Sequence, residues 1–262
     1  MDFTYRSKYS IDDLLKIMEI LRSDEGCPWD REQTHESIRM NFIEETYEVC
    51  EAIDNADKDL LKEELGDVLL QVVFHSQLEK ESGDFDFSDV CDGVCKKLIE
   101  RHPHVFSNVE VDNSEQVLKN WENIKRKTKG QKTHAQSVDS VPKTLPALMR
   151  AQKVQHRAAK SGFDYKDISG ALDALTGEIE EFKQALAKND RENISEELGD
   201  ILFSAVNVAR FAETNSELAL SEATEKFAAR FSKVEKQALN DNIDLKSADE
   251  KTLDMLWDKA KQ

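Results

Sequence analysis

KEELGDVLL (Lys62–Leu70) and SEELGDILF (Ser195–Phe203) carry the same pentapeptide, EELGD, once in each half of the chain. Each copy sets acids directly ahead of a run of apolar residues. Leu61, Leu65, Val68, Leu69 and Val72 recur at helical spacing around the first copy, and Ile43, Tyr47 and Cys50 mark a face of the segment before it. Strand-type alternation is nearly absent, and only four prolines and nine glycines interrupt the chain. The class expected is all-α. Helices are predicted at about 11–22, 35–54, 58–80, 88–101 and 115–128, then at about 146–160, 168–187, 191–214, 217–239 and 248–260.

The two sets of helices around the EELGD segments are copies. The slide that superposes the two pentapeptides also lays Glu45 on Glu178, Glu48 on Glu181 and Asp57 on Asp190. With small changes of offset, CPWD (Cys27–Asp30) faces SGFD (Ser161–Asp164), Lys97 and Arg101 face Lys226 and Arg230, and Trp121 faces Trp257. Two long copies indicate tandem duplicated helical-bundle domains rather than a solenoid. The expected division is residues 1–126 and 146–262. Between them, 127–145 is polar and basic, lacks periodicity, and reads as a flexible linker.

The composition narrows the partners. The 53 acids against 36 bases leave a net charge of −17, which argues against nucleic-acid binding, since that needs a basic face. A nucleotide substrate stays possible, because a divalent cation can bridge an acidic protein to an anionic ligand. The chain shows neither a signal peptide nor an apolar run long enough to span a bilayer, so a cytoplasmic protein without a membrane partner is expected. The four cysteines, Cys27, Cys50, Cys91 and Cys95, all lie in the first copy. A disulfide framework would not leave the second copy bare, so reduced thiols are expected. Cys91 and Cys95, with His102 and His104, match no common zinc spacing, and small thiols packed on a helix are the simpler reading.

The acids of each copy form two pairs three residues apart: Glu45/Glu48 with Glu64/Asp67, and Glu178/Glu181 with Glu197/Asp200. Residues three apart share one side of a helix. The inner gap, Glu48 to Glu64 or Glu181 to Glu197, is the same in both copies and long enough to end a helix, turn and return antiparallel. Four carboxylates then converge between neighbouring helices. Acid-rich helix faces are ordinarily just solvated. Here, however, the second pair opens a helix that is apolar nearly all round and expected at the centre of the core, where unpaired carboxylates are costly. Four such groups also repel one another unless a cation neutralises them. Oxygen ligands without His or Cys favour Mg²⁺, with Mn²⁺ as a substitute, and neither the Glu-x-x-His of di-iron bundles nor the EF-hand loop is present. Mg²⁺ held this way completes its shell with water and substrate phosphates, which points to phosphate-ester or anhydride cleavage.

EETYE (Glu44–Glu48) and GEIEE (Gly177–Glu181), each followed by EELGD, resemble the EExxE…ExxD signature of MazG-type nucleoside triphosphate pyrophosphohydrolases. GCPWDREQTHESI and KFAARF resemble further parts of the two-domain bacterial members. The resemblance covers the chain outside the linker. It implies a homodimer that hydrolyses nucleoside triphosphates to monophosphate and pyrophosphate with Mg²⁺, by attack at the α-phosphorus. It places the metal on Glu178, Glu181, Glu197 and Asp200, with Glu45, Glu48, Glu64 and Asp67 as a second set. Lys226 and Arg230 resemble its nucleotide-contacting bases. Trp257 stacks on a base in this reading, or plugs the core. Ala174 and Asn193, one turn before the acids, are expected to line the cleft with Glu196.

One position departs from the pattern: Gly177 stands where the first copy has Glu44. A glycine inside a helix costs roughly 1 kcal/mol relative to alanine, so either a ligand approaches closely there or the motif has decayed. The likeness to two-domain members nonetheless favours the second copy as the catalytic one. The alternatives are a dimeric helical scaffold whose acids bind structural cations, and a narrower enzyme acting on phosphoribosyl-ATP or dUTP.

Overall fold

Helix starts along the chain carry side-chain caps. Ser10 and Asp13 form a reciprocal capping box, and Asp57, Asp86, Asp167, Asp190, Asn215 and Asp249 each accept a bond from a first-turn N–H. Such a cap contributes about 1 kcal/mol. In the computed structural model the helices are α1 (Ile11–Arg22), α2 (Pro28–Glu32), α3 (Arg39–Asp54), α4 (Lys58–Ser82), α5 (Phe87–Arg101) and α6 (Pro103–Phe106). They continue with α7 (His134–Asp139), α8 (Ala147–Ala159), α9 (Ile168–Lys188), α10 (Arg191–Phe211), α11 (Ser216–Asn240) and α12 (Glu250–Ala260). The structure describes residues 3–261 apart from 115, 118, 119, 122, 123, 125–127 and 129–132. Among the described residues there is no strand. The all-α class is therefore the observed one.

The chain divides into two units, Met1–Lys125 and Arg126–Gln262. In the first, α3 and α4 form an antiparallel hairpin, and α1 and α5 pack on α4. Its core gathers Met18, Ile38, Val73, Phe74 and Leu78, with Leu14, Leu15, Leu70 and Phe87 against them. Full burial of a side chain such as Met18 or Val73 contributes about 1.5–3 kcal/mol. In the second unit α9 and α10 form the matching hairpin, α8 packs on α10 and α11, and α11 pairs with α12. Val234, Ala238, Leu256 and Ala260 close that pairing, with Trp257 packed against them.

The hairpins are built alike. Ala52 and Ala185, both fully buried, let the paired helices approach closely. Just past each first helix stands a residue in the left-handed region, Ala56 (φ 52°) or Asn189 (φ 53°). Asp57 or Asp190 follows at once and caps the returning helix.

Several details differ from the sequence reading. The second helix begins at Arg39 rather than near 35, because Thr34 and Ser37 trade side-chain-to-backbone bonds that hold a turn. Within the stretch expected to be linker, α7 forms and is tied to α8, where Arg157 donates to the Ser137 carbonyl and the Ser140 hydroxyl. The helix expected at 115–128 falls largely outside the described residues. The helices bearing the second acid pair are also not enclosed all round. Leu65, Leu69, Leu198, Leu202 and Phe203 are exposed. One face of each helix packs within its unit, and among the described residues of that unit the other face is uncovered.

Candidate active site

The left-handed residue of each hairpin is a pivot for the acids. Glu48 and Glu64 both lie eight residues from Ala56, and Glu45 and Asp67 both lie eleven. Glu181 and Glu197 stand in the same relation to Asn189, as do Glu178 and Asp200. At 1.5 Å per residue the paired acids meet across the hairpin about 12 and 16 Å from the turn. Ligand atoms of Glu45, Glu48 and Glu64 lie within 4.8 Å of one another, as do those of Glu178, Glu197 and Asp200. Asp67 and Glu181 fall outside these triplets, yet each acts on the acid across from it. Asp67 raises the pKa of Glu45, and Glu181 that of Glu197.

Burial is the larger cause of the upward shifts at Glu45, Glu64, Glu178 and Glu197, and repulsion by neighbouring carboxylates adds to it. The enclosed member of each cluster is Glu64 (8% exposed) or Glu197 (9% exposed). Asp67 and Asp200, expected deep in the core, are half-buried and exposed. The reason is that each Asp lies nearer the uncovered side of its helix. Oxygen-only donors, partly enclosed and mutually repelling, fit a hard divalent cation such as Mg²⁺. Glu178, Glu197 and Asp200 would hold it in the second unit, with Glu181 beside them, and Glu45, Glu48, Glu64 and Asp67 in the first.

Of the remaining expected residues, Ala174, Asn193 and Glu196 lie on the second hairpin, and Lys226, Arg230 and Trp257 on α11 and α12. Glu196 is exposed and adds to the repulsion on Glu197. Asn193 is half-buried, and its backbone N–H donates to the capping Asp190. Ala174 is half-buried on α9. Ala174 and Asn193 are fifteen and four residues from Asn189, so they flank the cluster on opposite sides along the hairpin. Lys226 is exposed on α11, and the Arg230 guanidinium one turn on sits 6.0 Å from the Trp257 ring. Among the described residues neither base has a carboxylate partner, which leaves both cations available to an anion. The sequence reading missed Phe227. Its ring lies 5.2 Å from Trp257 and stacks on Phe231 at 6.3 Å. The i,i+4 aromatic pair beside Lys226 was the available signal.

The first unit keeps the same pieces. Arg101 lies 5.3 Å from the Trp121 ring, and His102 meets that ring edge-on. Among the described residues Cys91, Cys95, His102 and His104 form no cluster of possible metal ligands. The Gly177 question also has a partial answer. A Cβ at Gly177 would meet nothing within 4 Å, and the same holds at Gly66 and Gly199. No neighbour among the described residues therefore demands glycine at these positions.

Residues 33–106 and 167–239, one segment from each unit and each containing an acid cluster, match the MazG nucleotide pyrophosphohydrolase domain. The chain belongs to the MazG nucleotide pyrophosphohydrolase family. It is 44% identical over 255 residues to a nucleoside triphosphate pyrophosphohydrolase of Escherichia coli K12, covering 96% of this chain and 97% of that protein. It is 46% identical over 250 residues to the nucleoside triphosphate pyrophosphohydrolase/pyrophosphatase MazG of Thermotoga maritima, covering 95% of each. The MazG domain thus occurs twice here, as a tandem pair, and the likeness to whole relatives includes both copies. No helix among the described residues is long and apolar enough to cross a membrane.

Proposed function

We propose that the protein hydrolyses nucleoside triphosphates to monophosphate and pyrophosphate with Mg²⁺, tolerates several bases, and works in the cytoplasm in nucleotide house-cleaning. The second unit is the catalytic copy in this reading. The observation that carries it is the close triplet Glu178, Glu197 and Asp200, whose enclosed members are pushed toward the protonated form until a cation relieves them. Such a cation offsets phosphate charge and polarises the phosphoryl group. The chain's own residues do the rest. Lys226 and Arg230 supply positive charge for the phosphates, and Trp257 offers its ring to the base. A ring face accepts any base with little preference, which agrees with broad tolerance.

Water adds at the α-phosphorus while the α–β bridging oxygen leaves with pyrophosphate. Turnover in ¹⁸O-water tests this directly. The label is expected in the monophosphate, and label in the pyrophosphate would overturn the assigned point of attack. A panel of triphosphates that gave no monophosphate with any base would favour a scaffold instead.

We also propose a homodimer through the uncovered hairpin faces. Leu172, Ile179 and Leu186 repeat every seven residues on α9, and Leu198, Leu202 and Phe203 are exposed on α10. Gly199 lies among these side chains with open space above it, room for a second copy's helix. Leu202→Arg is expected to shift the molecular mass by light scattering from twice the chain mass toward the monomer. A monomeric wild type would exclude the dimer.

A further inference from the structure

The first unit holds a second titratable cluster, remote from the acids. His35, in the turn before α3, has its Nε2 2.8 Å from Glu79 Oε1 on α4. Its Nδ1 is 2.7 Å from Nδ1 of His75, also on α4, and the two rings lie nearly coplanar and edge to edge, with centroids 5.0 Å apart and planes 3° from parallel. Phe42 of α3 meets His75 edge-on at 5.9 Å. Ile38, between the turn and α3, is 2% exposed in the core.

The proton count at this contact is restrictive. With both imidazoles neutral, His75 Nδ1–H donates to His35 Nδ1, and His35 Nε2–H donates to the Glu79 carboxylate. One added proton can be carried on an outer nitrogen without breaking that chain. A second cannot, because both Nδ1 atoms would then bear hydrogens aimed at each other.

We propose that His35, His75 and Glu79 form a proton-operated clamp that fastens the start of α3 to α4 in the first unit and releases it when both imidazoles are charged. The duplication provides an internal comparison. The slide that superposes the two EELGD copies brings these three positions onto Ile168, Val208 and Ala212, none of which titrates. The hairpin therefore forms without such a clamp, and the cluster is a device of the first unit rather than a requirement of the fold.

Glu79 faces His35 from α4, and Glu36 lies beside His35 in the turn, with Arg39 next to it at the start of α3. On α1, Arg22 pairs with Glu81, Glu19 with Lys16 and Lys80, and Asp13 with Arg6, and Asp12 is the remaining charge of that helix. On α2, Arg31 donates to the Asp24 carbonyl, and on α5, Asp86 and Asp89 close their own capping box. Burial first, and then the neighbouring His35, hold the His75 pKa below its ordinary value of 6.5. The released state thus binds more protons than the closed one. The clamp is intact above the ordinary imidazole range and is lost as pH falls below it.

Amide hydrogen exchange of the full-length protein between pH 7.5 and 5.0, corrected for intrinsic rates, tests the proposal. Protection over residues 34–42 is expected to fall about tenfold or more, the equivalent of one pK unit. Residues 168–176 are expected to show no such step. His75→Phe keeps a ring against Phe42 and removes the titration, so its residues 34–42 should lose the pH step. A step that is missing in the wild type, or unchanged in His75→Phe, overturns the clamp. Should that variant fail to fold, imidazole ¹⁵N shifts of the wild type decide. His75 should take up its proton below the ordinary imidazole value of 6.5, together with the loss of protection at residues 34–42. Protonation of His75 that leaves that protection unchanged would refute the clamp.

Discussion

Glu64 and Glu197 combine the deepest burial in their clusters with repulsion from the acids around them. Their folded pKa values lie above the ordinary 4.5, so the folded state holds protons that the unfolded chain releases. The stability this gives is present at low pH and is lost as pH rises through the raised values. The protein in EDTA is therefore expected to lose thermal stability as pH rises from about 4.5 toward neutrality. Mg²⁺ should restore it at neutral pH and act progressively less as the carboxylates protonate. Calorimetric melting midpoints with and without Mg²⁺ check this, and a Mg²⁺ effect independent of pH would contradict it. That the acids act together was legible from the pairs three apart and from the constant gap between Glu48 and Glu64 and between Glu181 and Glu197. Which acid of each pair is enclosed was not, because members of a pair differ by about 60° around the helix and only the partner helix decides between them.

The hairpin turns a sequence spacing into a site. The left-handed residue, the capping aspartate after it and the buried alanine before it recur in both units, so both hairpins bring their acids to the same level. Ala56 holds this conformation at a cost, since a left-handed non-glycine residue is disfavoured by roughly 1–2 kcal/mol. Ala56→Gly is expected to stabilise the first unit by about 1 kcal/mol in urea unfolding, and a destabilised variant would contradict the role given to this turn. Helix spans were legible almost residue by residue wherever an aspartate or asparagine cap opened an apolar period, as at Asp57, Asp167 and Asn215. The short helices α2 and α7 were not, since five or six residues are too few to display a period. The apolar character of α4 and α10 was legible, but its partition between an inner face and an uncovered one was not. An amphipathic pattern cannot distinguish a core from a surface awaiting a second chain.

Across the whole molecule, duplication has given two MazG units with the same acids, the same basic–aromatic pairing and different details around them. The first keeps Glu44 and gains the His35–His75 contact. The second has Gly177 and adds Phe227 beside Trp257. In the proposed function, the net charge of −17 makes cations at the site a condition for admitting a triphosphate. In that reading the second unit is the catalytic copy. Pyrophosphate release from nucleoside triphosphates in Mg²⁺, compared between Glu197→Gln and Glu64→Gln, tests this most directly. Glu197→Gln is expected to lose about a hundredfold or more of the rate, while Glu64→Gln keeps turnover near that of the wild type. Full turnover in Glu197→Gln, or its loss in Glu64→Gln alone, would contradict the assignment.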